Sequence, residues 1–209
     1  MSRYVLLVAL VAMLWATEAM AYTIGFGNLG GNNLDRFTSY EEHGYTVAAT
    51  RGEWFVAKVF GNEIPAIVAG PIYTPGVSEL ILTYDDGEQF TFEGLDLSSN
   101  VAGGTSYTIA GFLGGSGVFS ETFSIDSVNS FETKLFSSLG LKLVDRVTIT
   151  GTPGRGTTSF NIDNIRAGTG PGTCDPNSSC PSVPEPASIL FLAAGLAGVE
   201  AWRRRRGLG

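Results

Sequence analysis

Histidine occurs once in this 209-residue chain, cysteine twice, and charged residues make up only 16% of it. With His43 alone, any Ser-His-Asp or Cys-His arrangement would rest on one residue. That residue lies in Tyr40-Glu41-Glu42-His43-Gly44, a polar stretch where a solvated turn is the ordinary reading, and no catalytic residue is assigned. Basic residues are scarce as well. Tyr22 to Val183 holds 8 Lys and Arg against 17 Asp and Glu, a net charge of −9 counted from the sequence. A domain this acidic repels phosphate backbones, so nucleic acid is excluded as a partner. Gly25-Phe26-Gly27-Asn28-Leu29-Gly30-Gly31 contains a G-x-G pattern, but no βα unit follows it, and a nucleotide-binding reading fails. Helical periodicity is also missing before the last 26 residues, beyond runs of about two turns.

Short β-prone runs fill the space instead. Glycine is 28 of 209 residues and aromatics reach 11%, a balance that suits a turn-rich all-β domain. Strands are expected at Tyr45 to Ala49, Glu53 to Val59, Glu79 to Tyr84 and Gln89 to Glu93. Further strands are expected at Tyr107 to Leu113, Gly117 to Ser124, Thr133 to Ser137, Lys142 to Thr150 and Thr158 to Ile165. Asp85-Asp86-Gly87 between two alternating runs is the strongest hairpin signal. The fold class expected is all-β, an antiparallel sandwich over residues 22–167.

The two ends read as targeting segments. Residues 1–21 have a basic start at Arg3, an apolar centre and Ala19-Met20-Ala21 as an A-x-A site, which is a signal peptide for signal peptidase. The competing reading is an uncleaved membrane helix. Residues 168–183 change to Gly, Pro, Ser, Thr and Asn, a linker that cannot bury a core. Cys174 and Cys180 lie within it; in an exported chain a local disulfide is the first reading, with intermolecular bridging or metal capture as alternatives. Residues 184–209 follow. Pro184-Glu185-Pro186 interrupts regular structure, Ala187 to Trp202 is apolar, and Arg203-Arg204-Arg205-Arg206 forms a cytoplasmic stop. The positive-inside rule then puts everything before Pro184 outside the cytoplasm, tethered to the inner membrane by this single transmembrane helix. At 16 residues the run is short against the ~20 of a full span, and Glu200 lies near its Arg end.

Val183-Pro184-Glu185-Pro186-Ala187-Ser188, the small-residue helix and the Arg cluster together resemble the PEP-CTERM sorting signal of Gram-negative bacteria. The resemblance covers about an eighth of the chain. It implies recognition by an exosortase, a membrane enzyme that cuts near the Pro-Glu-Pro motif, and an end point at the cell surface or in an exopolysaccharide matrix.

A looser resemblance lies in the domain. Phe90-Thr91-Phe92-Glu93-Gly94-Leu95-Asp96-Leu97, Thr108-Ile109-Ala110-Gly111-Phe112, Val147-Thr148-Ile149 and Phe160-Asn161-Ile162-Asp163-Asn164-Ile165 are similar to a jelly-roll domain of the carbohydrate-binding-module kind. It implies a glycan ligand and a structural calcium site. Asp163 and Asn164 are the candidate calcium ligands, joined through space by Asp35 or Asp126, against the alternative that they fix a strand end by side-chain bonds. Trp54, Tyr73, Tyr84 and Tyr107 are candidates by type for stacking on sugar rings. The function expected is that of an exosortase-sorted surface or matrix protein, not an enzyme, that binds exopolysaccharide. A glycan-active hydrolase and a purely structural matrix protein are the alternatives.

Overall fold

The structure, a computed structural model, describes residues 21–70, 76–100, 104–128, 130–136, 142–154 and 159–169. Fourteen strands appear among these residues. They are β1 (Ala21–Ile24), β2 (Arg36–Phe37), β3 (Ser39–Glu42), β4 (Tyr45–Arg51), β5 (Trp54–Ala57), β6 (Ala66–Ala69) and β7 (Ser78–Tyr84), then β8 (Phe90–Ser99), β9 (Thr105–Leu113), β10 (Ser116–Ile125), β11 (Glu132–Leu135), β12 (Leu143–Val144), β13 (Arg146–Pro153) and β14 (Phe160–Thr169). No α-helix occurs among the described residues, which hold one 3₁₀ turn, Asp85–Gly87. The signal segment, the linker with Cys174 and Cys180, the sorting tail and Tyr73 lie outside the described residues.

Two antiparallel sheets make a sandwich. One has the order β11-β8-β14-β6-β5-β2, with β1 beside β14 and β12 beside β8. The other has six strands in the order β10-β9-β13-β7-β4-β3. Alternation drives this arrangement: β7 buries Leu80, Leu82 and Tyr84 while Glu79, Ile81 and Thr83 face outward. The core between the sheets is aromatic, with Trp54 edge-on to Phe160 at 5.5 Å and Tyr107 edge-on to the same ring at 5.3 Å. Two glycines make room for it. A Cβ on Gly151 would run into the Phe160 ring, and one on Gly111 into Phe119.

The expected Asp-Gly hairpin is not a hairpin. β7 pairs with β4 and β13 in the six-stranded sheet, whereas β8 pairs with β14, β11 and β12 in the other. The Asp85–Gly87 turn therefore carries the chain across the sandwich. Both flanking aromatics, Tyr84 and Phe90, enter the core around Tyr45. A period-2 pattern states which side chains are buried, not which sheet a strand joins. The tight two-residue turns lie instead at His43-Gly44, between Glu42 and its partner Tyr45, and at Gly114-Gly115, between Leu113 and Ser116. All four turn residues have positive φ, as a type I′ turn requires. The only histidine of the chain is thus an exposed turn residue, stacked on Tyr22 at 5.2 Å.

Candidate functional site

The most concentrated polar group among the described residues lies on the outer face of the eight-stranded sheet. Along one side of β14 the neighbour is β6 as far as Ile162 and β1 from Ile165 onward. Asp163 and Asn164 fill the break between them, and Asn164 has a φ of 45°. On the other side of β14, Asp96 of β8 stands in register with Asp163. Their neighbours along the chain, Ile162 and Leu97, point into the core, so both aspartates point away from it. The segment between β5 and β6 covers them. Asn62 N–H donates to Asp163 Oδ2 at 2.7 Å, and Asn62 Nδ2 donates to Asp96 Oδ2 at 2.7 Å. Asn164 N–H donates to Asp163 Oδ1 at 2.8 Å. Its Nδ2 reaches both the Asn62 carbonyl and Asp96 Oδ2. Arg166 closes the group with a two-pronged pair to Asp96, 2.8 Å to Oδ1 and 3.2 Å to Oδ2.

The two carboxylates feel opposite fields. Burial pushes Asp96 up, but hydrogen bonds from Arg166, then Asn164, Asn62 and Thr133, outweigh it and hold its carboxyl below the ordinary value. Asp163 has no cation of its own. Burial, reinforced by the charges of Asp96 and Glu63, raises it to about 7 in spite of the two backbone N–H donors.

What converges on these oxygens is a set of N–H groups and a guanidinium. A calcium ligand set presents the opposite polarity, oxygen atoms aimed at a common point. Asp35 and Asp126 do not join the group: Asp35 Oδ2 accepts the N–H of Asn32 within its own turn, and Asp126 packs against Gly104. Among the described residues no group of three or more His, Cys, Asp or Glu is placed to hold a metal. The geometry of Asp163 and Asn164 matches the other reading of the sequence, side-chain bonds that fix an interrupted strand. Both carboxylates are fully buried, so neither meets a substrate from solvent. Sequence reasoning missed Asp96, Asn62 and Arg166 as members, because pairs 34 to 102 residues apart leave no local spacing to read.

Burial also decides the stacking candidates. Trp54 is 1% exposed, Tyr84 6% and Tyr107 0%, so none offers a ring face to a sugar. Trp54 Nε1 is spent on the Arg51 carbonyl at 3.1 Å, and the Tyr107 hydroxyl on the Ser98 carbonyl at 3.1 Å. These are core residues whose polar ends are satisfied inside the sandwich.

The described residues thus define an all-β protein, a two-sheet antiparallel sandwich whose most polar centre is closed to solvent. Its tail is more specific: residues 182–206 match the family described as the PEP-CTERM protein-sorting motif, the mark of an exported protein sorted by exosortase. The match covers the tail and none of the sandwich. No curated protein matches the sequence. Among solved structures, the chain is similar to a DUF4465 family protein from Bacteroides caccae, at 10% identity and a TM-score of 0.48 over 71% of this chain and 98% of that one. It is also similar to a family 11 carbohydrate-binding module from Clostridium thermocellum in complex with a β-1,3-1,4-mixed-linked tetrasaccharide, at 18% identity and a TM-score of 0.41 over 72% and 96%. A family 29 carbohydrate-binding module from Piromyces equi aligns at 11% identity and a TM-score of 0.43 over 74% and 93%. None of these likenesses bears on what this chain binds.

Proposed function

We propose that the protein is exported by a signal peptide cleaved after Ala21 and held in the inner membrane by its C-terminal helix. Exosortase then releases or transfers it at Val183-Pro184-Glu185-Pro186, to the cell surface or the surrounding matrix. The sorting motif at residues 182–206 is the observation that carries this reading. The arginines Arg203 to Arg206 supply the cytoplasmic stop, and Cys174 and Cys180 stiffen the stalk as a disulfide. There the sandwich binds exopolysaccharide and acts by binding, not by catalysis. Two features support the binding role: an acidic surface unsuited to phosphate polymers, and a buried carboxylate pair out of reach of substrate.

The sorting part is tested in the native host by changing Pro184-Glu185-Pro186 to Ala-Ala-Ala. Full-length protein should then accumulate in the inner membrane and disappear from the surface fraction. Release of the variant at the wild-type level would leave a plain anchor and no sorting.

A further inference from the structure

We propose that strand β1 gates its own processing: signal peptidase cuts the Ala21–Tyr22 bond only while β1 is undocked, and docking onto β14 then closes the site. This deepens the export reading above, adding the regulation of its cleavage site, and rests on it. The bond lies inside a sheet. Ala21 stands in register with Gly168, Tyr22 with Ala167, Thr23 with Arg166 and Ile24 with Ile165. A protease holds its substrate extended through main-chain hydrogen bonds, and those are the groups that a β-ladder engages. A docked β1 and a bound peptidase therefore compete for one stretch of backbone. In the cut, water adds across the bond, leaving a carboxylate on Ala21 and an ammonium on Tyr22.

The first residues of a domain ordinarily fray. These are tied down. Ile24 and Phe26 are 0% exposed, and Leu29 joins them in the core. The Gly25 N–H donates to Glu42 Oε2 at 2.9 Å, and the Tyr22 ring stacks on His43. Peeling β1 away exposes an isoleucine and breaks a ladder, so the open form is a minor population, and cutting of the folded chain tracks it. Chain order keeps the site open until then. β3 and β4, β5 and β6, and β9 and β10 each pair with a neighbour in sequence. The ladder partner of β1 is instead β14, the last strand of the domain. At about 5–20 residues per second of synthesis, that partner appears on the order of ten seconds after β1. The topology thus gives the peptidase the first claim on β1 and β14 the second. A short N-terminal strand needs neither feature; the scissile bond within the ladder and the partner at the far end of the domain together carry the inference.

The test makes the full chain by cell-free synthesis in detergent micelles. Purified signal peptidase is added either at the start or after folding, with the fold checked by near-UV circular dichroism. Peptidase present from the start should yield a chain whose intact mass begins at Tyr22. Added to the folded precursor, it should cut at least about tenfold more slowly. Ile24→Val removes one buried methyl from β1 and should raise that slow rate about two- to tenfold. Leu82→Val makes a similar loss in the core of β7 and should leave the rate unchanged. Equal rates in both orders of addition would overturn the gate and leave the signal peptide standing. A slow rate that Ile24→Val does not change, or that Leu82→Val raises as much, would place the protection elsewhere than in β1 and overturn the gate. No cut in either order would overturn the signal-peptide reading and the gate together.

Discussion

The two outer faces of the sandwich are both built from antiparallel strands, yet they solve opposite problems. On the eight-stranded sheet a polar break in β14 is sealed by the β5–β6 segment, and Asp96, Asp163 and Arg166 face one another beneath it. The large apolar side chains exposed among the described residues, Leu34, Val59, Ile64, Val128 and Leu135, also belong to the loops and edge strand of this sheet. Phe60 of the covering segment stacks on Phe131 at 5.0 Å, which clips the cover to the far edge. On β7, β9 and β13 of the six-stranded sheet the outward positions are half-exposed: threonine, serine and alanine together with Glu79, Ile81, Phe112 and Arg146. One face spends its charges on holding itself together. The other ties its hydroxyls to one another, to Glu79 and to a backbone carbonyl.

The comparison breaks most sharply at the two arginines. Arg166→Met strips Asp96, which is 0% exposed, of its cation and leaves a buried charge, so a loss of about 3–5 kcal/mol is expected from denaturant unfolding. Arg146→Met on the other face removes a guanidinium whose Nε has no partner, and should cost less than about 1 kcal/mol. Equal losses at the two sites would mean that the faces are not different in kind.

The pH dependence sharpens the same contrast. Asp163 is raised to about 7 in the folded chain, above its ordinary carboxylate value, so it takes up a proton on folding. Its contribution to stability is complete below the unfolded pKa and is lost as pH rises through about 7. Melting temperature should therefore climb as pH is lowered from 8 to 5, an effect of roughly 2 kcal/mol, and Asp163→Ala should flatten that slope. Asp96 acts with the opposite sign: held low by Arg166 and the amides, it stabilises above its unfolded value and loses that contribution in stronger acid. A melting temperature that rose steadily from pH 5 to 8 would contradict the assignment of Asp163.

The smallest effect belongs to Glu79→Gln. Its carboxylate accepts from two threonine hydroxyls where water competes, and Gln keeps one oxygen acceptor there, so stability should change by about 0.5 kcal/mol or less. A large loss would show that these surface bonds hold the six-stranded sheet together as firmly as Arg166 holds the other.

The sandwich was legible in the sequence because burial by alternation is local: Leu80, Leu82 and Tyr84 on one side of β7 and Glu79, Ile81 and Thr83 on the other state a half-buried strand outright. Sheet membership was not, since Asp85–Gly87 links strands that never pair. Strands as short as β2 and β6 gave too few residues for a period, the single strand expected at Lys142 to Thr150 divides into β12 and β13 on different sheets, and β14 runs four residues past its expected end at Ile165, to Thr169. Residue type named Trp54, Tyr84 and Tyr107 as sugar platforms, but a large ring fills a core as readily as it stacks on a sugar, and here it fills the core. Asp163 and Asn164 were visible as a polar interruption of an apolar strand. Their partners came from loops and strands far along the chain. The sorting motif was the reverse case, readable because its parts are contiguous in sequence.

Intact-mass determination on membrane and released fractions from the native host tests the central claim most directly. The account predicts a membrane species beginning at Tyr22 and ending at Gly209, and a released or surface species that begins at Tyr22 and ends near Pro186, with added mass if the new end is attached to another molecule. A chain ending at Gly209 in every fraction would contradict it.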